Sequence, residues 1–299
     1  MEERLPVPAD LTVDRVLAAG DEHIAAAGTV GGRRAVVIVR PPRVPESCAD
    51  VQAVLTDGEE TFRNDKWSKH NCGRAPFRVE LIAPATDVDV AKYTTQQISL
   101  IRETPVLYSV ATKPYIEAQP AKQVTWVYNI LDGLSEQENV LHRTDTFVIV
   151  KDYKWDADAG PEKMHLLGFP TDRSLRSIRD LRAAHASMLR ALLNAGLHEL
   201  RTRFGLHAPD VRSYFHYFPS FWHLHVHFDF VSAPAEGRDV DRAHLVEDVL
   251  DALARDPEYF ANANLSVAAR HVSHADFLSR LPAGTLPERS EHKRKIEST

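Results

Sequence analysis

The 299-residue sequence has few of the features that mark secreted or membrane proteins. It contains two cysteines, Cys48 and Cys72, and neither stands in a Cys-x-x-Cys pair. Two cysteines cannot build the disulfide framework that holds small secreted domains together. No apolar run of about 18 residues occurs, so no membrane span is expected. The opening residues MEERLP lack the basic-then-apolar pattern of a signal peptide. These absences predict a soluble protein of a reducing, intracellular compartment.

The sequence also lacks an excess of positive charge. Its 36 Lys and Arg residues are outnumbered by 42 Asp and Glu, which gives a net charge of −6. Nonspecific binding to the nucleic acid backbone favours basic surfaces, so that function is not indicated. A nucleotide ligand remains compatible, because a local cluster of Lys and Arg in a cleft is enough to bind it. Hydrophobic residues make up 43% of the chain, enough for a core, and the length allows one large domain or two ordinary ones.

What the sequence does contain is a histidine run within residues 213–231. His223, His225 and His227 occupy every second position and alternate with apolar side chains. Strict alternation predicts a β-strand with two different faces. The apolar residues would point into a core, while the three imidazoles and Asp229 would share the other face. Folding does not require three titratable rings on one face of a strand, so the pattern indicates a function.

Three interpretations of the histidine face are open. It could be an exposed strand that happens to carry histidines. It could be a metal site, since histidines that alternate on a strand can converge on zinc. It could hold a nucleophilic histidine between histidines that bind phosphate oxygens. The run His-apolar-His-apolar-His-apolar is similar to that of the histidine-triad (HIT) nucleotide hydrolases and transferases, with Asp229 in place of their final hydrophobic residue.

The first third of the chain predicts a small α+β or mostly β domain. Short β runs at 35–39 and 77–82 are separated by turn-prone prolines. The polar block 64–74 is predicted to be a loop. A helix is predicted from a cap within residues 86–89 through Ile101, with its end enforced by Pro105.

The rest of the chain predicts alternating strands and helices. Gly133 and Gly205 are placed to end two of the helices. The predicted strands are 146–150, 166–169 and 211–217, and the predicted helices are 126–132, 182–204 and 242–255. The order strand, long helix, strand, strand matches the α+β layout of the HIT fold.

Several further motifs resemble the scavenger mRNA decapping enzymes of the HIT superfamily. They are RET within 101–105, WVYNILD at 126–132, D-x-K-W at 152–155, HYFPSFWHLHVHF at 216–228 and DRAHL at 241–245. They occur in the family's order and spacing, and the resemblance covers roughly residues 64–259. Independent motifs in one order are more specific than the histidine triad alone.

The resemblance implies an α+β protein of two domains and a tail. Residues 1–95 would form a smaller α+β lid domain that is exchanged between the protomers of a homodimer. Residues 96–286 would form the HIT catalytic domain, and the charged residues 287–299 would be disordered. The basic residues 293–295 resemble a fragment of a nuclear-import signal, so a cytoplasmic and nuclear location is expected.

The resemblance also implies an activity. The substrate would be the 7-methylguanosine 5′-5′ triphosphate cap of short capped RNA fragments or of cap dinucleotide, left by mRNA decay. The products would be methyl-GMP and a nucleoside diphosphate or a diphosphate-ended oligonucleotide, formed through a covalent histidine–nucleotide intermediate. No metal and no other cofactor are expected.

Four histidines are the implied catalytic residues. His225 would be the nucleophile through a neutral ring nitrogen, while its other nitrogen donates to a backbone carbonyl. His223 and His227 flank it, with His227 expected to contact phosphate, and His216 matches an additional site histidine.

The remaining implied site residues bind the substrate. The cap base is cationic, so stacking on aromatic faces is favoured by charge as well as by area. The implied base-binding residues are Trp126, Glu136, Asp152 and Tyr153. The implied phosphate-binding or substrate-binding residues are Lys154, Ser220, Arg242, Lys92 and Trp67.

Other functions remain as alternatives. One is a general HIT hydrolase of dinucleoside polyphosphates or nucleotidyl phosphoramidates. Such an enzyme would not need Trp126, Glu136 and Asp152, the residues that would recognise methylated guanine. A cap-binding regulator without turnover would need a broken triad, whereas all three histidines are present. A zinc-binding strand protein would be revealed by metal analysis.

Overall fold

The computed structural model describes residues 10–19, 24–40, 51–52, 55, 59–63, 67–72, 77–152, 164–231 and 242–286. The chain divides into two compact units. Unit 1 is Met1–Ile98 with Arg270–Ala275, and unit 2 is Ser99–Ala269 with Asp276–Thr299. The predicted mixture of helix and sheet is confirmed. The predicted tail, 287–299, lies outside the described residues.

Unit 1 is built on an antiparallel sheet. Its strands are β1 (Leu11–Ala19), β2 (Ile24–Val30), β3 (Arg33–Arg40), β4 (Glu59–Arg63), β5 (Trp67–Cys72) and β6 (Phe77–Ile82), in the order β1-β2-β3-β6-β5-β4. Both faces are covered, because Val37 and Val39 lie in one apolar cluster while Val36 and Ile38 lie in another. The strands predicted at 35–39 and 77–82 are confirmed as β3 and β6.

The prediction of a loop over 64–74 is wrong, because β5 occupies Trp67–Cys72. This strand pairs with β6 along its whole length, from Trp67 opposite Ile82 to Cys72 opposite Phe77. Its inward side chains are polar: Ser68 and His70 are buried, with 2.9 Å between the serine Oγ and the histidine Nε2. A strand whose buried side chains bond to each other lacks the apolar alternation by which strands are recognised.

The helix predicted to run through Ile101 is shorter. Helix α1 (Asp87–Tyr93) begins at Thr86, whose side chain and that of Asp89 form a capping box. It ends at Thr94, and strand β7 (Ile98–Glu103) follows, with its side chains alternately exposed and buried. Pro105 ends no helix: it opens the next one, after Thr104 as cap. Spacings of three and four residues between apolar side chains also fit a helix followed by a strand, so periodicity alone misled here.

Unit 2 contains a second antiparallel sheet. Its strands are β8 (Val140–Arg143), β9 (Phe147–Lys151), β10 (His165–Pro170), β11 (Val211–His216), β12 (Val226–Phe230) and β13 (Ala243–Leu245), in the order β13-β11-β12-β10-β9-β8. β14 (Leu265–Arg270) pairs separately with β7. The strands predicted at 146–150, 166–169 and 211–217 are confirmed as β9, β10 and β11.

Helices flank this sheet. They are α2 (Pro105–Leu107), α3 (Lys113–Glu117), α4 (Thr125–Leu131), α5 (Ala186–Phe204), α6 (Val246–Arg255), α7 (Tyr259–Asn262) and α8 (Ala275–Ser279). A π-helical turn, Tyr108–Thr112, joins α2 to α3. The helix predicted at 126–132 is confirmed as α4, and the helix predicted at 182–204 is confirmed as α5 with a later start, at Ala186. Across the described ranges, no helix combines the length and the apolar character that a bilayer span needs.

The helix predicted over 242–255 begins later than expected. Residues Ala243–Leu245 form strand β13, in which Ala243 pairs with His216 and Leu245 with Tyr214. Helix α6 then covers Val246–Arg255. The short strand extends the sheet at the side that carries His216.

The sheet of unit 2 lies between α5 and α4. On the α5 side, a Cβ built on Gly168 would lie 2.7 Å from Leu192 Cδ2, and one on Gly196 would lie 2.4 Å from Phe228 Cζ. Glycine at both positions therefore permits the close approach of α5 to β10 and β12. On the other side, Val127 and Ile130 of α4 pack in a separate apolar cluster.

The histidine segment is only partly a strand. The structure gives β12 as Val226–Phe230, so His223 and His225 precede the strand, against the prediction that all three histidines share one. Pairing of β10 with β12 ends at Gly168 opposite Val226. The Leu224 N–H donates instead to Leu175 O at 2.8 Å, outside the strands. The alternation of histidines and apolar residues therefore begins before Val226, where strand β12 starts.

A buried ion pair ties together distant parts of unit 2. Glu103, from the RET motif, and Arg179 both have fully buried side chains. The Arg179 Nε donates to Glu103 Oε1 at 2.9 Å, and the Tyr217 hydroxyl donates to the same oxygen at 2.7 Å. The Thr112 hydroxyl donates to Oε2, and the Arg179 Nη1 donates to Phe260 O at 2.9 Å. The charges are thus surrounded by donors and acceptors, as buried charges require.

Candidate active site

The site lies on the α4 side of the unit 2 sheet. His227, in β12, pairs with Leu167 of β10 on one side and with Tyr214 of β11 on the other. Leu167 belongs to the cluster under α4. Because directly paired residues on neighbouring strands point to the same face, His227 and Tyr214 face that side as well.

His225 has its ring proton fixed by the backbone. Its Nδ1 lies 2.7 Å from the carbonyl oxygen of His223. A carbonyl oxygen only accepts, so Nδ1 carries the proton and Nε2 keeps its lone pair. Burial lowers the pKa of His225 from 6.5 to about 4, which keeps the ring neutral near pH 7. The predicted contact of a ring nitrogen of His225 with a backbone carbonyl is confirmed.

The ring of His225 is also held in place by stacking. The Phe221 ring lies parallel to it, with 4.2 Å between centroids and 13° between planes. This phenylalanine follows directly after Ser220, in the turn between β11 and the histidines. A neutral imidazole with one face covered and one nitrogen anchored has little freedom to turn.

His223 supports its neighbour from within the core. It is fully buried, its Nε2 lies 2.9 Å from Pro170 O, and Tyr128 meets its ring edge to face at 5.6 Å. Burial lowers its pKa, so this ring too favours the neutral form. Its position fixes the carbonyl that accepts from His225.

The other two predicted catalytic histidines lie beside His225. The ring centroid of His227 is 4.8 Å from that of His225 and 4.4 Å from that of His216. Tyr214 stacks on His227 at 5.1 Å. The structure therefore brings His216, His225 and His227 together around one point.

Arg242 and Ser220 approach the same turn. The Arg242 Nε donates to Phe218 O at 3.0 Å, and its Nη2 lies 3.5 Å from the Ser220 hydroxyl. The positive charge of Arg242 is also among the causes, after burial, that lower the pKa of His225. A guanidinium and a hydroxyl side by side suit the binding of phosphate oxygens.

Trp126 is linked to the histidines through Phe221. It lies on α4 with 37% of its surface exposed. Its ring meets the rings of Phe221 and Phe169 edge to face, at 5.1 and 5.8 Å. Because the exposed tryptophan is next to the residue that stacks on His225, an aromatic surface adjoins the His225 ring. Glu136, at the cap of the turn Gln137–Asn139, lies beyond the end of α4.

Asp152 meets a residue that no sequence motif indicates. Asp152 follows β9 and is buried, and its Oδ2 lies 2.7 Å from Nδ1 of His165. The Nε2 of His165 lies 3.1 Å from Nδ1 of His227. The sequence predictions missed His165, because only the register of β10 against β12 brings it to the site.

The remaining predicted site residues fall outside the described part of unit 2. Tyr153 and Lys154 lie outside the described residues. Trp67 opens β5 and Lys92 lies on α1, so both belong to unit 1, where the Lys92 Nζ lies 5.3 Å from the centre of the Tyr93 ring.

Among the residues that the structure describes, no three His, Cys, Asp or Glu side chains converge in a way that could hold an ion. What the cluster does offer is a bare imidazole nitrogen close to positive and hydrogen-bonding groups, an arrangement suited to attack on phosphorus.

Comparison with known proteins gives a consistent result. The family described as "Scavenger mRNA decapping enzyme C-term binding" matches residues 125–242. A bovine (Bos taurus) protein named m7GpppX diphosphatase is 34% identical over 256 residues, which are 82% of this chain and 75% of that protein. A protein of the same name from Caenorhabditis elegans is 30% identical over 250 residues, or 80% of each chain. The solved structure "Hnt3 in complex with DNA and guanosine" matches 52% of this chain and 93% of that chain, with 16% identity and a TM-score of 0.32, which is too low to define the fold.

Proposed function

Since the chain belongs to the m7GpppX diphosphatases, the scavenger mRNA decapping enzymes, we propose that it cleaves the cap through a covalent intermediate on His225. The protein is a hydrolase that acts on the cap triphosphate. The observation that carries the mechanism is the tautomer of His225. Its Nδ1–H is engaged with His223 O, so its Nε2 lone pair is available for attack.

The reaction proceeds in two displacements. The Nε2 of His225 attacks the phosphorus that bears methylguanosine, and the bond from that phosphorus to the bridging oxygen breaks. The leaving group is a nucleoside diphosphate or a diphosphate-ended oligonucleotide. Water then attacks the same phosphorus, releases methyl-GMP and restores the neutral ring. While phosphorus is bound the ring is positive, and its Nδ1–H bond to a carbonyl becomes charge-assisted and stronger.

The phosphates need neutralising charge and donors in this reaction. Arg242 and Ser220 supply a guanidinium and a hydroxyl at the turn that carries Phe221. His227 and His216 supply further imidazole groups beside His225. We assign these four side chains to the phosphate oxygens and His223 to the support of the nucleophile.

The methylated base binds at the aromatic surface next to the nucleophile. Trp126 stacks on the cationic ring, and its partial exposure leaves a face open for this contact. Asp152 and Glu136 accept from the guanine edge, since a carboxylate can pair with N1–H and the exocyclic amine together. Tyr153 and Lys154, which follow Asp152 in the chain, complete the base and phosphate contacts.

The finer architecture is proposed on the basis of family membership. Unit 2 is a HIT-type catalytic domain. Unit 1, which has its own core, acts as a lid that is exchanged between the protomers of a homodimer and brings Lys92 and Trp67 to the substrate. The enzyme acts on short capped fragments in mRNA decay, in the cytoplasm and the nucleus.

The test is a cleavage assay with EDTA present. Methylated cap dinucleotide, unmethylated GpppG and a diadenosine polyphosphate are incubated separately with the purified protein. Release of methyl-GMP, with much slower cleavage of the other two compounds, is the expected result. Cleavage of the adenosine compound with indifference to methylation would make the protein a general HIT hydrolase. Loss of activity with the chelator would contradict the metal-free mechanism.

The nucleophile is tested with His225→Asn. This variant keeps a side chain of similar polarity but removes the attacking nitrogen, so hydrolysis should stop while methylated cap still binds. Binding is measured by quenching of tryptophan fluorescence. Retained turnover would remove His225 as nucleophile, and loss of binding together with activity would point to misfolding instead.

A further inference from the structure

A hydrogen bond joins the turn before the histidines to the buried pair of Glu103 and Arg179. The Tyr217 hydroxyl donates to Glu103 Oε1 at 2.7 Å. Tyr217 follows directly after β11, and its side chain is fully buried. Burial, and after it the negative charge of Glu103, raise the pKa of Tyr217 well above its ordinary value, so the hydroxyl keeps the proton that it donates. The far end of this side chain is therefore held by a charge-assisted hydrogen bond.

The backbone of the same turn holds Arg242. The Tyr217 N–H donates to Arg242 O at 2.8 Å. In the other direction, the Arg242 Nε donates to Phe218 O at 3.0 Å. The Nη2 of the same guanidinium lies 3.5 Å from the Ser220 hydroxyl. The backbone of residues 217 and 218 thus bonds to both the main chain and the charged group of Arg242.

Glu103 is a firm support for this turn. Its carboxylate also accepts from the Nε of Arg179 at 2.9 Å, and both of these side chains are fully buried. The pairing of β11 with β13 ends at His216 opposite Ala243, so Tyr217 is the first residue beyond the paired strand. Apolar packing has no preferred direction, whereas a hydrogen bond to a buried carboxylate sets both a distance and an angle. The hydroxyl therefore fixes the path by which the chain leaves the sheet.

We infer that Tyr217 is a positioning residue for the phosphate site. Its hydroxyl, held by Glu103, fixes the backbone of residues 217 and 218 and, through that backbone, the guanidinium of Arg242. The pair of Glu103 and Arg179 thereby acts on the active site as well as on the stability of the fold. The effect on catalysis rests on the proposed function, which assigns Arg242 to the phosphate oxygens. The position of the guanidinium itself does not rest on it and is measured without substrate.

The test variant is Tyr217→Phe, which removes the hydroxyl and nothing else. The ring keeps its edge-to-face contacts with Phe218 and Trp222, at 5.2 and 6.5 Å. Arg179 still donates to Glu103, so the buried carboxylate keeps its counter-charge. The variant is therefore expected to fold, and urea denaturation checks that it does.

The matched control is Thr112→Val. Thr112 is as fully buried as Tyr217, and its hydroxyl donates to the other oxygen of the same carboxylate, Glu103 Oε2. It lies in the π-helical turn Tyr108–Thr112, and valine has nearly the same shape. Both variants therefore lose one buried hydrogen bond to Glu103, but only Tyr217→Phe loses the link to the backbone that holds Arg242.

The first readout is kinetic, with methylated cap dinucleotide as substrate. Tyr217→Phe should lower kcat by on the order of tenfold while KM stays within about twofold, because a misplaced guanidinium loses most where charge develops in the transition state. Thr112→Val should retain full kcat. An equal loss of kcat in the two variants would assign the effect to a general weakening of the buried network and overturn the inference. Unchanged kcat in Tyr217→Phe would overturn it as well.

The second readout is hydrogen exchange of the Arg242 Nε–H, followed by NMR on the protein without substrate. Its signal is the one lost in Arg242→Lys. Exchange should be slow in the unaltered protein and in Thr112→Val, because this N–H is bonded to Phe218 O, and several times faster in Tyr217→Phe. Fast exchange in the unaltered protein, or no change in Tyr217→Phe, would overturn the inference. If the protein does not cleave cap at all, the proposed function fails, whereas the exchange rates still decide whether Tyr217 positions Arg242.

Discussion

The surroundings of His225 predict how its ring titrates. Burial lowers the pKa of His225 from 6.5 to about 4. An NMR titration of its ring, assigned by comparison with His225→Asn, should therefore have a midpoint well below that of free histidine. A midpoint at or above 6.5 would contradict the buried, neutral ring. Between pH 6.5 and about pH 4, the His225 ring binds a proton in the unfolded chain but not in the folded chain. This group therefore lowers the stability of the fold as pH falls from about 6.5 to about 4, and has no effect above that range.

Trp126 provides a second prediction at the scale of one residue. Trp126→Ala should weaken binding of methylated cap by roughly tenfold, and that of unmethylated GpppG much less, because the contact of a cation with an aromatic face is worth about 1–2 kcal/mol. Binding is followed by calorimetry. Tyr259→Ala, which removes a similarly exposed aromatic ring (41%), should bind both ligands normally. Equal losses for the two ligands would make Trp126 only a packing residue.

At the scale of single residues, the sequence predicts the chemical character of the site better than it predicts which side chains meet there. The spacing of His223, His225 and His227 indicates a functional face, and the further motifs are needed to favour a nucleophilic histidine over a metal site. His165 carries no comparable signal, because a single histidine at the start of an apolar strand is unremarkable until the register places it opposite Asp229.

At the scale of elements, the buried pair Glu103–Arg179 links β7 to the segment that follows β10. Glu103→Met leaves the guanidinium buried without its counter-charge, so it should lower the free energy of unfolding by about 3–5 kcal/mol. Urea denaturation measures the loss. The double variant Glu103→Met with Arg179→Met removes both charges and should be less destabilised than the single variant. A double variant with a lower free energy of unfolding than the single variant would show that the unpaired charge is not the cause of the destabilisation.

Strands and helices with strong apolar patterns were predictable from the sequence. β3, β6 and β9 were found because buried faces filled with valine and isoleucine stand out. β5 was missed because its inward residues, Ser68 and His70, contact each other rather than an apolar core. β12 was predicted too long, because alternation of residue types does not reveal where the neighbouring strand stops pairing.

At the scale of the whole molecule, the proposed lid predicts selectivity by length. Short capped fragments and cap dinucleotide should be cleaved efficiently, and a full-length capped message slowly, because a closed cleft cannot hold a long chain. The assay compares methyl-GMP release from capped RNAs of increasing length at equal cap concentration. Equal rates for dinucleotide and long message would contradict the lid.

The hydrogen bond from His225 to His223 O has a consequence for how the site could be inherited. The acceptor lies two residues earlier in the same chain, so the tautomer of His225 is specified within a tripeptide. Substitutions in distant elements can alter which substrate binds without changing which nitrogen of His225 keeps its lone pair. The position of His227 depends instead on the pairing of β12 with β10 and β11, so it is set by the register of three strands. The proposed nucleophile is thus the portable part of this site, and His227 is the part tied to this particular sheet.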